Sequence, residues 1–519
     1  MNKYRIFKAV FLVGNVFLCQ SCYEDKGNYD YRNIDEIVFE TFQETYTIHV
    51  GDPITIVPQF VTPLPADADY SYEWVWMNAV YQDVYYNKYT WSNLKEWVDF
   101  SIDLPGGTYQ FYYKVKDNKT GVEWISDSFT IKIENDIATG FFVLSEVDHV
   151  GRVDFINFYQ DKFDFKQDIL TKNGSDIPPL DKPLGVACYS DANSPVINAT
   201  TSDGQYLVGV LTETGAYRLR PSDLFYTDLY HLNYAIMGMV PAGFYAKRID
   251  NAVGNNSEST LIGSDNNIYY YYRPMNVFWT VGAYVNIYGE KRFNVSPLTA
   301  SPSPAAGTIM YDTDTQSFVK RTGTGTAVSY FTGENLRNTG KDLIYIHPRG
   351  IEQSTENVIY ALLKDPDTGE FFFSSFLFSD GSQRFYQKLN LLELSNVHQF
   401  AMTYNYFANQ NVNNGNEFLY YATNDQIYLY NIADEDNRVV YTATGGQKIS
   451  RIEFVKLGKW GDHLMVFTYD PAKPADSCGK LEVMQVVPIY GDLNVAKYNN
   501  EKMEWSGFGK VIDAEWKNK

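Results

Sequence analysis

The chain has 519 residues, with 43 Lys and Arg against 63 Asp and Glu, a formal charge of −20 at pH 7. Past the first ten residues no cationic run supplies the surface that phosphates require, which excludes nucleic acid as a partner. Hydrophobic residues at 45%, with 36 Gly and 20 Pro, describe a globular chain, and 43 Tyr with 33 Phe favour pleated sheet over helix. At roughly 100 to 200 residues per domain, two to four domains are expected, or one small and one large.

Lys3, Arg5 and Lys8 precede an apolar stretch from Ala9 to Leu18, about as long as a secretory signal core and too short to span a bilayer. It ends at Cys19-Gln20-Ser21-Cys22, and an acidic, tyrosine-rich segment follows. This resembles a bacterial lipoprotein signal, although Cys19 and Gln20 depart from its commonest form. The resemblance implies that residues 1–21 are removed and that Cys22 becomes the acylated first residue of the mature chain, a lipid anchor to the membrane. The alternative is ordinary signal cleavage with Cys19 and Cys22 as bystanders. Glu24 and Asp25 behind the anchor look like the surface-export signal of Bacteroidetes lipoproteins, which implies the outer face of the outer membrane. Cys188 and Cys478 either pair or stand as two buried thiols.

Residues 22–36 read as an acidic tether. Over 37–137 the pattern is one of short strands: Ile37-Val38-Phe39, Tyr46 to Val50, Ile54 to Val57, then Tyr72-Glu73-Trp74-Val75-Trp76, whose alternation puts Tyr72, Trp74 and Trp76 on one face. The runs from Gly107 to Asp117 and from Ser128 to Glu134 alternate too, which predicts a β-sandwich. Tyr72-Glu73-Trp74 with Gly107-Thr108-Tyr109 and Val115-Lys116-Asp117 looks like a PKD domain, an immunoglobulin-like module. Together with the run from Cys22 to Tyr31 and Gly140 to Glu146, it resembles the PKD-like family lipoproteins of Bacteroidetes, with Phe141 where the family leads one to expect Trp. That resemblance implies an accessory lipoprotein of a Sus-like nutrient-uptake locus, beside SusC-like and SusD-like partners, capturing oligosaccharide or oligopeptide.

From residue 138 to 519 the chain repeats an apolar strand, a turn of Asp, Asn or Gly, and a second apolar strand. Hairpins are predicted over Tyr206 to Tyr217, Leu261 to Tyr272, Thr308 to Val319, Val358 to Phe378, Phe418 to Tyr430 and Leu464 to Val483. So many sheet edges must be hidden, and radial repetition hides them. At about 40 to 50 residues per blade, a β-propeller of seven blades is the expectation. A final strand from Phe508 to Trp516 would then pair with Phe141 to Leu144 and close the ring; an open pair of sandwiches is the alternative. Short helices fit within Ser222 to Met239 and Gln387 to Leu394.

None of the six His has a second His three to five residues away, so the paired-His zinc motif is absent. The nucleophile elbow and the phosphate loop are absent too, and Gly323-Thr324-Gly325 fails the dinucleotide fingerprint at Val328. Ser202-Asp203-Gly204 only approaches the turn of sialidase-type propellers. Asp312-Thr313-Asp314 and Asp365-Pro366-Asp367 read as turns rather than calcium ligands. No cofactor or metal is expected, and the expectation is a protein that binds rather than catalyses. Tyr85, Tyr86, Trp91 and Trp97 form an aromatic cluster that either contacts a ligand or partner or covers the sandwich core; Trp279 and Trp460 sit where they could stack on a sugar or peptide ring. Two other functions remain open: a propeller-type glycoside hydrolase or lyase using two carboxylates, and a purely structural docking protein. Two carboxylates within about ten ångströms of each other beside an Arg or His would favour the enzyme, and an aromatic, acid-poor pocket would favour binding.

Overall fold

The computed structural model describes residues 36–517, apart from 50–51, 66–67, 80–85, 103, 105–106, 135–136, 138, 160, 191–205, 222, 252–258, 273–276, 280–284, 303–306, 323–326, 350–356, 404–417, 457–459, 461–462 and 488–489. The signal, Cys22, the tether up to residue 35, Tyr85, Ser202-Asp203-Gly204 and Gly323-Thr324-Gly325 lie outside the described residues. The chain is all-β and divides into two compact units, Met1–Ile102 with Thr108–Lys132, and Asp103–Gly107 with Ile133–Lys519.

In the first unit the main sheet runs in the order Thr45–His49, Phe129–Glu134, Gly107–Asp117, Tyr70–Ala79, Tyr86–Ser92, with Glu123–Ile125 also on Gly107–Asp117. A second sheet pairs Pro53–Ile56 with Trp97–Ser101. Alternation puts Trp74 opposite Tyr113 across the ladder, and both are fully buried. Trp97, from the smaller sheet, stacks on Trp74 at 4.2 Å between ring centroids. Trp74 Nε1 donates to Leu94 O at 2.8 Å and the Tyr113 hydroxyl to Lys95 O at 2.8 Å, whereas the buried Trp97 Nε1 meets no acceptor among the described residues. Ile37-Val38-Phe39 forms no strand; only a single bridge joins Phe39 to Phe60, and Val38 is exposed.

The second unit contains seven successive sheets of three or more strands among the described residues. The first runs Lys162–Lys166, Val150–Tyr159, Gly140–Val147, Lys510–Lys517. The second is Pro183–Ser190, Tyr206–Thr212, Ala216–Leu219, and the third is built on Ala246–Asn251, Ser259–Gly263, Ile268–Tyr272 and Val277–Trp279. The fourth is Gly307–Asp312, Ser317–Thr322, Val328–Tyr330; the fifth is Asp342–Arg349, Val358–Lys364, Phe371–Leu377, Gln383–Leu389. The sixth is Gln399–Ala401, Phe418–Ala422, Gln426–Asn431, Asn437–Thr442, and the seventh Lys448–Phe454, His463–Tyr469, Gly479–Val486, Leu493–Val495. All six predicted hairpins are present as antiparallel pairs.

Successive residues of these strands point to opposite faces, and both faces are buried, which is why the strands read as continuous apolar runs. Leu419 and Tyr421 pack toward the fifth sheet, whereas Tyr420 and Ala422 pack toward the seventh. A separate core fills each interface between consecutive sheets. A further core joins the seventh sheet to the first, with Met465, Phe467 and Leu481 against Phe141, Ile156 and Trp516. The order of interfaces is therefore cyclic. The final strand Lys510–Lys517 pairs antiparallel with Gly140–Val147, with Trp516 opposite Phe141.

The region from Ser222 to Met239 holds two short 3-10 turns, Asp228–Tyr230 and Leu232–Ala235. Gln387 belongs instead to a strand paired with Phe373, so the helix expected there is replaced by sheet and a single 3-10 turn at Leu394–Asn396. Cys188 and Cys478 are each a buried thiol rather than halves of a disulfide. The Asp motifs are turns: Asp312 Oδ1 accepts from the Asp314 amide at 2.8 Å, and Asp365 Oδ1 from the Asp367 and Thr368 amides at 3.0 and 2.9 Å.

Candidate functional site

Three strands that end their sheets, Ala246–Asn251, Lys448–Phe454 and Lys510–Lys517, carry charges at alternate positions: Arg248 and Asp250, Arg451 and Glu453, Asp513 and Glu515. Period two sends each set to one side of its strand, and these sets meet in a cavity of about 220 Å³ with Lys456 in its wall. Arg248, Leu298, Arg451 and Glu453 also line an adjoining cavity of about 370 Å³, whose far walls include Tyr345, His347, Phe371, Phe400 and Met402.

Arg451 is tied on every side. Its Nε and Nη2 reach Glu453 Oε2 at 2.9 and 2.6 Å, Nη2 reaches Asp513 Oδ1 at 2.5 Å, and Nη1 donates to Ile512 O at 3.1 Å. Asp513 Oδ2 accepts the Val186 amide at 2.9 Å, and a Cβ on the adjacent Gly185 would stand 2.9 Å from that oxygen, so glycine gives the carboxylate its room. Glu515 accepts the Cys188 amide at 2.8 Å and Asn251 Nδ2 at 3.2 Å, joining the first sheet to the second and third. Arg248 Nε donates to Asp250 Oδ1 at 2.6 Å, and Thr299 Oγ1 donates to Asp250 Oδ2 at 2.5 Å.

Enclosure and neighbouring charge separate the carboxyls. Burial alone would raise Glu453, but the Arg451 guanidinium, aided by Lys456 and Arg248, holds it below the usual glutamate range. Burial raises Asp513 against the pull of Arg451, and it pushes Glu515 up to about 7. The same desolvation drives His347 down to about 3, a neutral ring whose Nε2 lies 3.0 Å from Thr403 O. It lowers Lys517 to about 8 and raises the Cys188 thiol, which keeps that sulfur protonated and unreactive. Among the described residues no group of three or more His, Cys, Asp or Glu could hold a metal ion, and no helix is long and apolar enough to cross a membrane.

The aromatic candidates do not meet here. Trp97 has no exposed surface and Trp460 only 6%, so both are core residues; Trp460 packs on Phe163 and Tyr498 at 5.6 and 5.2 Å. Trp91 is half-buried, edge-on to Trp76 at 6.1 Å. Tyr86 and Trp279 lie on the strands Tyr86–Ser92 and Val277–Trp279, and their side chains, like all of Tyr85, are outside the described residues. Sequence reasoning named none of the charged residues of the cavity. Their signal was present as charge at i and i+2 inside strands otherwise built for burial.

Residues 22–179 match the model of the PKD-like family, a segment that extends past the sandwich into the first sheet of the second unit. No curated protein matches the sequence. Solved structures with partial likeness include the extracellular domain of a putative one-component system from B. thetaiotaomicron, at 10% identity and TM-score 0.34 over 60% of this chain and 35% of that one. An auxiliary nutrient binding protein from Bacteroides thetaiotaomicron VPI-5482 aligns at 8% identity and TM-score 0.33 over 83% of this chain and 94% of the other. A puromycin-hydrolyzing peptidase of Mycobacterium tuberculosis aligns at 11% identity and TM-score 0.34, over 71% and 54%. The chain thus spans about a third of the first of these structures and about half of the last.

Proposed function

We propose that the second unit is a seven-bladed β-propeller and that the protein is a non-catalytic lipoprotein, anchored through Cys22 at the outer-membrane surface. There it binds an oligosaccharide or oligopeptide nutrient for a SusC/SusD-like uptake complex. The cyclic order of the seven cores supports the propeller, because radial closure covers both faces of every sheet and leaves only the short edges of its blades. The end strands of the blades then line the axis, and the charged cavity between them is the binding site. The observation that carries binding over catalysis is where the carboxylate oxygens are spent. Both oxygens of Asp250, Asp513 and Glu515 are held by protein donors, and one of Glu453's. A hydrolase needs two carboxyls with oxygens turned to the substrate; this cavity offers recognition groups instead.

Calorimetric titration of the protein lacking residues 1–22 with glycan and peptide panels tests the reading, and silence from every member moves the function to docking. Cys22→Ala is expected to release the chain from membranes; retention in the membrane fraction would refute the anchor.

A second reading meets the criterion set by the sequence, two carboxylates within about ten ångströms of each other beside an Arg. Glu453 and Asp513 flank Arg451, and Glu515 is a carboxyl that holds its proton near neutral pH, the separation of acidities that general acid and base catalysis uses. Turnover of a glycan by the purified chain, abolished in Glu515→Gln, would establish the hydrolase or lyase.

A further inference from the structure

The internal pairing of the cavity leaves two groups unspent. Arg248 uses only Nε, on Asp250; its two terminal nitrogens meet no acceptor among the described residues, and its side chain is 42% open to the cavity. Arg451, by contrast, has every nitrogen engaged. Glu453 receives Arg451 entirely on Oε2, and Oε1 has no donor among the described residues. Arg248 and Glu453 both belong to the wall shared by the two cavities. We infer that this wall recognises the head group of an α-amino acid, with the two terminal nitrogens of Arg248 taking the carboxylate and Glu453 Oε1 taking the ammonium. The inference rests on the nutrient-binding reading and names its ligand class as a free α-amino acid, since either end of a peptide carries only one of the two charges.

Three arguments support this class. A planar guanidinium edge with two parallel donors matches a carboxylate bidentately, which a lone hydroxyl cannot match. With the Lys247 ammonium directed to Asn266 and Glu515 protonated up to about pH 7, the smaller cavity is charge-balanced, with Arg248, Arg451 and Lys456 against Asp250, Glu453 and Asp513. A zwitterion keeps that balance, whereas an anion or cation would leave an uncompensated charge away from bulk water. The adjoining cavity has Ile344, Ile346, Val397, Phe400 and Met402 in its walls beside the polar Thr299, Lys364, His398 and Gln399, and these five give an apolar side chain a place next to the head group.

The test is calorimetry on the full-length protein in detergent with L-leucine, N-acetyl-L-leucine, which lacks the ammonium, and L-leucinamide, which lacks the carboxylate. Leucine is expected to bind, and each blocked form to bind at least tenfold more weakly. Arg248→Gln, at a half-open position outside every core, should weaken leucine at least tenfold and leave leucinamide unchanged. Glu453→Gln is the complementary variant; because Glu453 also holds Arg451, circular dichroism must show it folded, and Arg248→Gln carries the test if it is not. Equal affinity for the three probes, or no heat from leucine, overturns the inference. If a neutral glycan binds in that case, the nutrient-binding reading survives the loss; if no ligand of any class binds, both fall.

Discussion

Replacing Trp516 with Ala removes a side chain that is 4% exposed, edge-on to Phe141 at 4.6 Å, on the strand that joins the end of the second unit to its beginning. A tryptophan buries roughly 150 to 250 Å², which at about 25 cal/mol per Å² is worth roughly 4 to 6 kcal/mol. The unfolded chain already hides part of that area, so about 3 to 5 kcal/mol is expected, the usual cost of truncating a core Trp. Phe141 is wholly buried in the same core, and an edge-to-face pair adds about 0.5 to 1.5 kcal/mol of coupling. Urea unfolding of wild type, Trp516→Ala, Phe141→Ala and the double variant, followed by circular dichroism, measures both quantities in a double-mutant cycle. The two single variants should destabilise the same cooperative transition, that of the larger unit, because closure makes the last strand part of the first sheet. If the final strand were a frayed terminus, Trp516→Ala would cost under about 0.5 kcal/mol and the two changes would add without coupling. That result would refute the closed arrangement.

Glu515→Gln tests the enclosed carboxyl through pH. Its ordinary value of 4.5 rises to about 7 in the folded chain, so between these limits the native state binds more protons than the unfolded state. The contribution to stability is full below pH 4.5 and is lost as pH climbs through 7. The variant lacks this slope and should gain on wild type by on the order of 1 to 3 kcal/mol between pH 5 and 8; parallel stability curves would contradict the assignment. In the first unit, Trp97→Ala should cost about 3 to 5 kcal/mol by chemical denaturation, and Trp91→Ala much less, because only Trp97 is sealed against Trp74 and Phe100. Equal losses would place the aromatic core elsewhere.

Much of the fold was legible locally. Apolar runs broken by Asp, Asn and Gly turns specify hairpins whatever surrounds them, and the alternation of Tyr72, Trp74 and Trp76 locates the sandwich core, because strand periodicity is a property of a few adjacent residues. The same locality explains the errors: Gln387 opens a leucine-rich stretch that suits a helix until a neighbouring strand claims its first residues, and Trp97 and Trp460 look like contact residues until other elements cover them. The charged cavity required tertiary structure. Arg451 meets Asp513, and Glu515 meets Cys188 and Asn251, across hundreds of residues, and only the assembly of separate sheets decides which charges are neighbours and which donors remain for a ligand. Sequence alone determined the strand class and the hairpins, since each is written in contiguous residues. The pairing of the last strand with Gly140–Val147 was expected from the sequence and is present, whereas tertiary structure alone decided the chemistry of the cavity, since it arises from groups that burial brings together and removes from water.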